Sequence, residues 1–382
     1  MRIPEFLVET WLNPRVEECR YNFGSSCVQA FTVGELLQFV GMDEGAFLEE
    51  VRDMSLHYGH FFGLPRLLEA LSKLYENVAP DMVLTVHGGT GANNAVITEL
   101  TDVSGNVVAI VPNYQQHYDI PASLGAEVRK LVLREENGWL PDLDELAKLV
   151  DAKTCLITLS NPNNPTGTLI DRAMMTEICK MADRVGAYVL SDEIYRGLGD
   201  AYTASVVDVY ERGIATCSTS KVFSMAGTRV GWIVARDKAT HDRLENRRSF
   251  DTICCGVFDE LITAIALEHA EKILARSTKI VAENRAILDK WLEGQPLLRC
   301  KNKSYSSTAF VSYDSRAIPM SATELGTDML KRAGILVCHG DCFDVPHSFR
   351  MGYGYVEPAV LEEGLGVMGD YFAKLKKIGG KR

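Results

Sequence analysis

Nothing in the chain approaches the run of about 18 apolar residues that a membrane-spanning helix needs, and no apolar block follows Met1-Arg2-Ile3-Pro4-Glu5. Neither a membrane span nor a secretory leader is expected, and the compartment expected is the cytoplasm. Positive charge is also short: 40 Lys and Arg stand against 51 Asp and Glu, a net charge of -11. Nucleic-acid and membrane-surface binders need basic patches for the phosphates, so neither partner is expected. The richest basic run, Lys376-Lys377 through Lys381-Arg382, reads as a solvated tail. Ten cysteines occur without a CxxC and without a His/Cys cluster at zinc spacing; Cys338-x-x-x-Cys342 comes nearest. That usage fits reduced thiols, several of them buried as small hydrophobes. A G-x-G-x-x-G turn and a Gly-Lys-Ser/Thr loop are both missing, which sets aside a nicotinamide dehydrogenase and a P-loop protein. Internal repeats and low-complexity segments are absent as well.

What remains is an ordinary globular composition, 46% hydrophobic and 24% charged, over 382 residues. That length exceeds what one core usually supports, so two domains are expected. Residues 1–42 look irregular and read as an arm plus an entry into a smaller domain. From Leu64 the spacing Leu67, Leu68, Leu71, Leu74, Tyr75 predicts a helix with Pro65 in its first turn. Strand-like runs follow at Val83–Val86, Val107–Val111, Val128–Leu133, Thr154–Leu159, Tyr188–Leu190, Ile214–Cys217 and Val230–Val234. Between them lie helices opening near Gly91, over Leu143–Val150 with Asp142 as cap, and over Asp171–Val185. Such alternation predicts an α/β fold, a mostly parallel doubly wound sheet in a large domain over 43–280. Beyond it, a helix across Ile280–Trp291, strands at Ala309–Tyr313 and Ile335–Cys338, and a terminal helix Pro358–Leu375 suggest a smaller α+β domain over 281–382.

Ligands of open parallel sheets sit beyond the carboxyl ends of the strands. After the first strand comes His87-Gly88-Gly89-Thr90-Gly91, a tight turn or a helix N-terminus suited to a phosphate. Pro112-Asn113-Tyr114 follows another, where the tyrosine is either a rim residue or a flat ring that stacks on a heterocycle. Ser160-Asn161-Pro162-Asn163-Asn164-Pro165-Thr166-Gly167 is a rigid turn, with more asparagine than a turn requires. Asp192 ends an apolar strand; it either caps a helix or pairs with a protonated pyridine nitrogen, which makes that ring an electron sink. Tyr195, three residues on, is within reach of the same ring's phenolic oxygen. Cys217-Ser218-Thr219-Ser220-Lys221 is a serine-rich turn with a solvated lysine, or a turn whose Lys221 holds pyridoxal phosphate. In the second case Ser218 and Ser220 bind the phosphate, Arg229 adds positive charge, and Lys221 needs a lowered pKa, from a cofactor cation and partial burial. Arg350, in Phe349-Arg350-Met351-Gly352, either packs its stem on a sheet or binds a carboxylate bidentately.

Taken together, Asn-Asn-Pro-Thr-Gly, Ser-Asp-Glu-Ile-Tyr and Ser-x-Ser-Lys with Arg229 eight residues on resemble class I/II aminotransferases of pyridoxal phosphate fold type I. The motifs occur in family order between Tyr58 and Arg350. The resemblance implies Lys221 as the Schiff-base lysine and Asp192 as the partner of the ring nitrogen. It implies Tyr195 and Asn164 at the phenolic oxygen, and Gly89, Thr90, Ser218 and Arg229 at the phosphate, where the turn itself also offers Ser220. Tyr114 matches the stacking residue and Arg350 the anchor of the substrate α-carboxylate, with Asn164 also implied at the substrate. Tyr58 matches a tyrosine that reaches the neighbouring subunit's phosphate, which implies a homodimer with shared sites. The activity implied is transfer of an amino group from an L-amino acid to a 2-oxo acid.

The run Ser25-Ser26-Cys27-Val28 through Phe31-Thr32-Val33-Gly34-Glu35-Leu36 is similar to capreomycidine synthases, relatives that cyclise an arginine-like substrate. Asp251 either faces the pocket and favours a basic side chain or is a solvated loop residue. A regulator built on the same fold would carry a DNA-binding domain ahead of it, for which the residues before Tyr58 are too few.

Overall fold

The computed structural model describes residues 2–199 and 203–379. The basic run ending at Arg382 lies, from residue 380 on, outside them. The strands in chain order are β1 (Tyr21–Asn22), β2 (Val83–His87), β3 (Asn106–Val111), β4 (Glu127–Val132), β5 (Thr154–Ser160), β6 (Tyr188–Asp192) and β7 (Gly213–Ser218). They continue with β8 (Val230–Ala235), β9 (Leu298–Arg299), β10 (Thr308–Tyr313), β11 (Ile335–Leu336), β12 (Cys338–His339) and β13 (Ser348–Gly352). A seven-stranded sheet has the order β2-β8-β7-β6-β5-β3-β4. Only β8 runs against its neighbours. The fold is α/β, with helices on a mostly parallel sheet.

Burial explains the sequence texture of these strands. β3, β7 and β8 are buried at every residue, and read as unbroken apolar or small-residue runs because both sheet faces are covered. β4 lies at the edge with Glu127, Arg129 and Lys130 turned toward solvent, charges that discourage pairing with a foreign strand. The expected helices appear at Pro65–Ser72, Leu143–Leu149 and Arg172–Val185, with Asp142 and Asp171 accepting from first-turn amides. The helix placed near Gly91 begins at Gly88, directly off β2. The helix placed at Ile280 begins at Ala270 and runs to Glu293.

A second sheet, β12-β13-β10-β9, is antiparallel throughout. The single strand expected at Ile335–Cys338 is two short ones, since β11 pairs with β1 while β12 joins β13. Residues 1–42 are not simply irregular: helices span Leu7–Leu12 and Val33–Val40. The second carries a full capping box, Thr32 with Glu35, and ends on Gly41 in the left-handed conformation. The first is held from outside itself. Trp11 Nε1 donates to the Val337 carbonyl at 2.7 Å, and the Leu7 amide donates to Gln115 Oε1 at 2.9 Å.

Candidate active site

Since β2, β3, β5, β6 and β7 point the same way, their carboxyl ends share one sheet edge, and a cavity of about 640 Å³ opens there. Lys221, Asp192, Tyr195 and Asn164 line it. Gly89, Thr90, Ser220 and Arg229 do so too, as do Tyr114 and Arg350. Residues far apart in sequence are thus delivered to one chamber by successive strand ends.

At one wall the helix Gly88–Leu100 starts with no side chain capping its first turn, so its amides and dipole are available to an anion. Gly88 has φ 67°, and a Cβ there would lie 2.6 Å from Arg229 Nη2. A glycine is what lets the guanidinium lie against the turn. Arg229 Nη1 contacts Ser220 Oγ at 3.5 Å and donates to the Ala226 carbonyl at 3.0 Å. Ser218, expected at the same place, does not line the cavity. It is buried beneath, and its hydroxyl accepts from the Ser220 amide at 3.2 Å, which shapes the turn.

Asp192 sits almost fully buried at the end of β6. Its Oδ2 accepts from Asn93 Nδ2 at 2.8 Å and its Oδ1 from the Ile194 amide at 3.1 Å. Asn93 is itself oriented by Thr216, whose hydroxyl donates to its Oδ1 at 2.6 Å. His117 Nε2 stands 3.8 Å from the same carboxylate, and neither ring nitrogen has a hydrogen-bond partner among the described residues. The sequence reading missed both residues. Asn93 was within reach, since it lies four residues past Gly89 and so on the same helix face.

Three asparagines of the rigid turn divide the work. Asn161 makes two bonds to the backbone of Ile170, and Asn163 binds Thr166 and the Pro112 carbonyl, so both are structural. Asn164 alone faces the cavity, and its Oδ1 accepts from Arg350 Nη1 at 3.0 Å. Arg350 Nη2 donates to the Gly24 carbonyl at 3.0 Å, and Nε has no partner. Only 2% exposed, this guanidinium meets neutral oxygens but no carboxylate among the described residues.

Lys221 has a neighbour that was not anticipated: Nζ lies 3.6 Å from Cys27 Sγ. Burial works to lower the lysine's pKa, but Cys27 and Tyr195 as anions outweigh it, and the net direction is upward. The expected lowering is not a property of the chain by itself. Tyr114 donates to Glu9 Oε1 at 2.7 Å, and burial together with the Glu9 charge holds its phenol well above the ordinary range. Glu9 lines the cavity from the Leu7–Leu12 helix, a part of the chain given no role in the sequence reading.

Two expected residues stand apart. Tyr58 is 64% exposed and lines a separate, smaller cavity of about 310 Å³. Asp251 lies outside the main cavity, with Arg247 Nη2 3.4 Å away.

The donor set fits pyridoxal phosphate. An anion cradle, a lysine, a buried carboxylate and a guanidinium without a carboxylate partner converge on one chamber, and Gly88 leaves room for the Arg229 guanidinium at the cradle. Fold and site define an α/β protein whose strand ends gather a lysine, a buried carboxylate and an anion-binding turn in one chamber. More narrowly, a model of the family described as aminotransferase class I and II matches residues 46–367, and the chain belongs to that family. A solved pyridoxal-phosphate-dependent aminotransferase of Streptococcus suis superposes with TM-score 0.94 at 37% identity, covering 98% of this chain and 99% of its own. The aspartate aminotransferase of Thermus thermophilus, solved with maleate, shares the fold at TM-score 0.86 and 19% identity, covering 96% and 97%. Among sequence relatives, capreomycidine synthase of Streptomyces vinaceus is 26% identical over 96% of this chain and 94% of its own. The arginine–pyruvate transaminase of Pseudomonas aeruginosa is 26% identical over 75% of each. Family and structural relatives make the chain a pyridoxal-phosphate-dependent aminotransferase.

Proposed function

We propose that this enzyme moves the amino group of an L-amino acid to a 2-oxo acid, with pyridoxal phosphate held at Lys221. The observation that carries the reading is Arg350: a buried cation without a carboxylate partner, in the same chamber as the lysine. A lone buried charge is costly, and a substrate carboxylate offsets that cost in bidentate geometry. The first turn of Gly88–Leu100, with Thr90, Ser220 and Arg229, would hold the phosphate. Asn164 and Tyr195 would donate to the phenolic oxygen, and Tyr114 would pack on the ring face. Once bound, the cofactor supplies an electron sink for the charge left at the substrate α-carbon. Asp192, oriented by Asn93 and the Ile194 amide, would pair with the ring nitrogen and hold a proton there. With the cofactor bound, Lys221 Nζ would be the base that takes the substrate's α-proton and the acid that returns it two atoms along, on the far side of the substrate nitrogen.

The working unit proposed is a homodimer with shared sites. Tyr58, Phe61, Phe62 and Phe258 are all large apolar side chains left exposed, of the kind an interface covers. No described helix is long and apolar enough to cross a membrane, and all ten cysteines are free, which suits a reducing cytoplasm. A cyclase is the second reading, favoured by the near full-length similarity to capreomycidine synthase.

Borohydride reduction followed by peptide mapping should place a pyridoxyl group on Lys221; label elsewhere, or none, rejects the assignment. Turnover of amino acids should require a 2-oxo acid, whereas turnover without one would favour the cyclase.

A further inference from the structure

We propose that Glu9 selects the substrate, and that the chamber takes an L-amino acid whose side chain has an apolar stem and a cationic end. The inference rests on reading the cavity as an amino-acid site. Five charged side chains line it: Glu9, Asp192, Lys221, Arg229 and Arg350. The last four are accounted for by ring nitrogen, imine, phosphate and α-carboxylate. Glu9 is the charge left over.

Its setting is that of a recognition group. Tyr114 donates to Oε1 at 2.7 Å and so orients the carboxylate, while Oε2 has no partner among the described residues. No cation among the described residues forms an ion pair with it. Phe6, Val8, Leu12 and Val16 line the same wall, an apolar surface for the methylenes of a long side chain. The wall is fixed, because Gln115 and Trp11 tie its helix to separate parts of the body. Arg350 Nη2 is bonded to the Gly24 carbonyl and Leu12 packs on Gly24, so with the α-carboxylate at Arg350 the side chain would extend along this wall. A guanidinium or terminal ammonium would satisfy Oε2. An acidic side chain would be repelled, and a neutral one would leave the carboxylate desolvated and unpaired.

The test uses the holoenzyme and carboxylates without an α-amine, so that binding is read without chemistry. Calorimetry should show δ-guanidinovalerate binding at least about tenfold tighter than hexanoate, the scale of a charge-assisted hydrogen bond. Glu9→Gln, which keeps the acceptor for Tyr114, should remove that preference while hexanoate affinity stays within about twofold, and Glu9→Asp should retain part of it. Equal affinity of the two ligands for the wild type overturns the inference, with no variant needed. Equal weakening of both ligands in Glu9→Gln also overturns it. In parallel, L-arginine and L-ornithine should shift the cofactor's absorbance at lower concentration than L-norleucine or L-glutamate. The reverse order defeats the role of Glu9 but leaves an amino-acid enzyme, whereas no shift with any amino acid defeats the amino-acid reading itself.

Discussion

Cys27 against Lys221 is the contact with the clearest consequence for a single residue. The thiol, at 3.6 Å, is one of the groups that holds the lysine's pKa up. Cys27→Ala should therefore lower the pH at which Lys221 becomes a free amine in the cofactor-free protein. The pH dependence of its modification by a limiting acylating reagent, mapped to the peptide, measures this; an unchanged or higher midpoint would contradict it. Individual residues differed in how legible they were. Arg350 and Asp192 stood out because a charge inside an apolar strand costs too much to be incidental, a conflict visible in one short window. The turn at Asn161–Asn164 showed an excess of amides, but only tertiary contacts reveal that Asn161 and Asn163 brace the backbone and Asn164 serves the chamber. Glu9 and Cys27 sit in local sequence that conflicts with nothing, and gain meaning only from partners more than a hundred residues away.

Elements fix how finely the anion cradle can be placed. β8 is the one reversed strand, and its Gly231 packs on the turn that opens the cofactor helix: a Cβ there would lie 2.4 Å from the Gly88 carbonyl carbon. Gly231→Ala should therefore cost about 1–3 kcal/mol of stability, in the range of overpacked cores. It should also weaken retention of pyridoxal phosphate on dialysis. Urea unfolding and cofactor absorbance would report the two effects separately. The helix Val257–Leu267 holds the neighbouring loop through Glu260, whose carboxylate accepts from Thr85 Oγ1 at 2.6 Å and from the Leu64 amide at 2.9 Å. Burial raises its pKa, and those two donors only partly oppose the shift. The fold therefore retains this proton to higher pH than the unfolded chain does. Stability from the site is complete below the usual glutamate value of about 4.3 and declines as pH rises through the raised one. Glu260→Gln should remove that decline, seen as urea midpoints whose gap from wild type changes between about pH 4 and pH 7. Alternating strands and helices were legible from period and apolar runs, whereas the Leu7–Leu12 helix was not. It is too short to show a period, and it is held by Trp11 and Gln115 rather than by its own propensity.

At the scale of the molecule, Tyr58 is the residue one chain leaves unused. It is 64% exposed and outside its own chain's main cavity, and in the homodimer proposed above it would serve a second copy. Mixing inactive Lys221→Ala with Tyr58→Phe under conditions of subunit exchange should give more activity than either alone, because a mixed dimer holds one site with both wild-type groups. Unchanged activity in the mixture, with exchange shown by mass, would mean that each chain works by itself. The comparisons recover the same architecture over nearly the whole chain.

The chamber also has an order of synthesis written into it. Its proposed cofactor side comes from Gly89 to Arg229, an unbroken middle stretch that leaves the ribosome in sequence. Its substrate side joins the first residues made to nearly the last: Gly24 waits for Arg350, and Trp11 waits for Val337, each 326 positions on. With the sites as proposed, a nascent chain therefore has every residue of the cofactor side long before it has those of the substrate side.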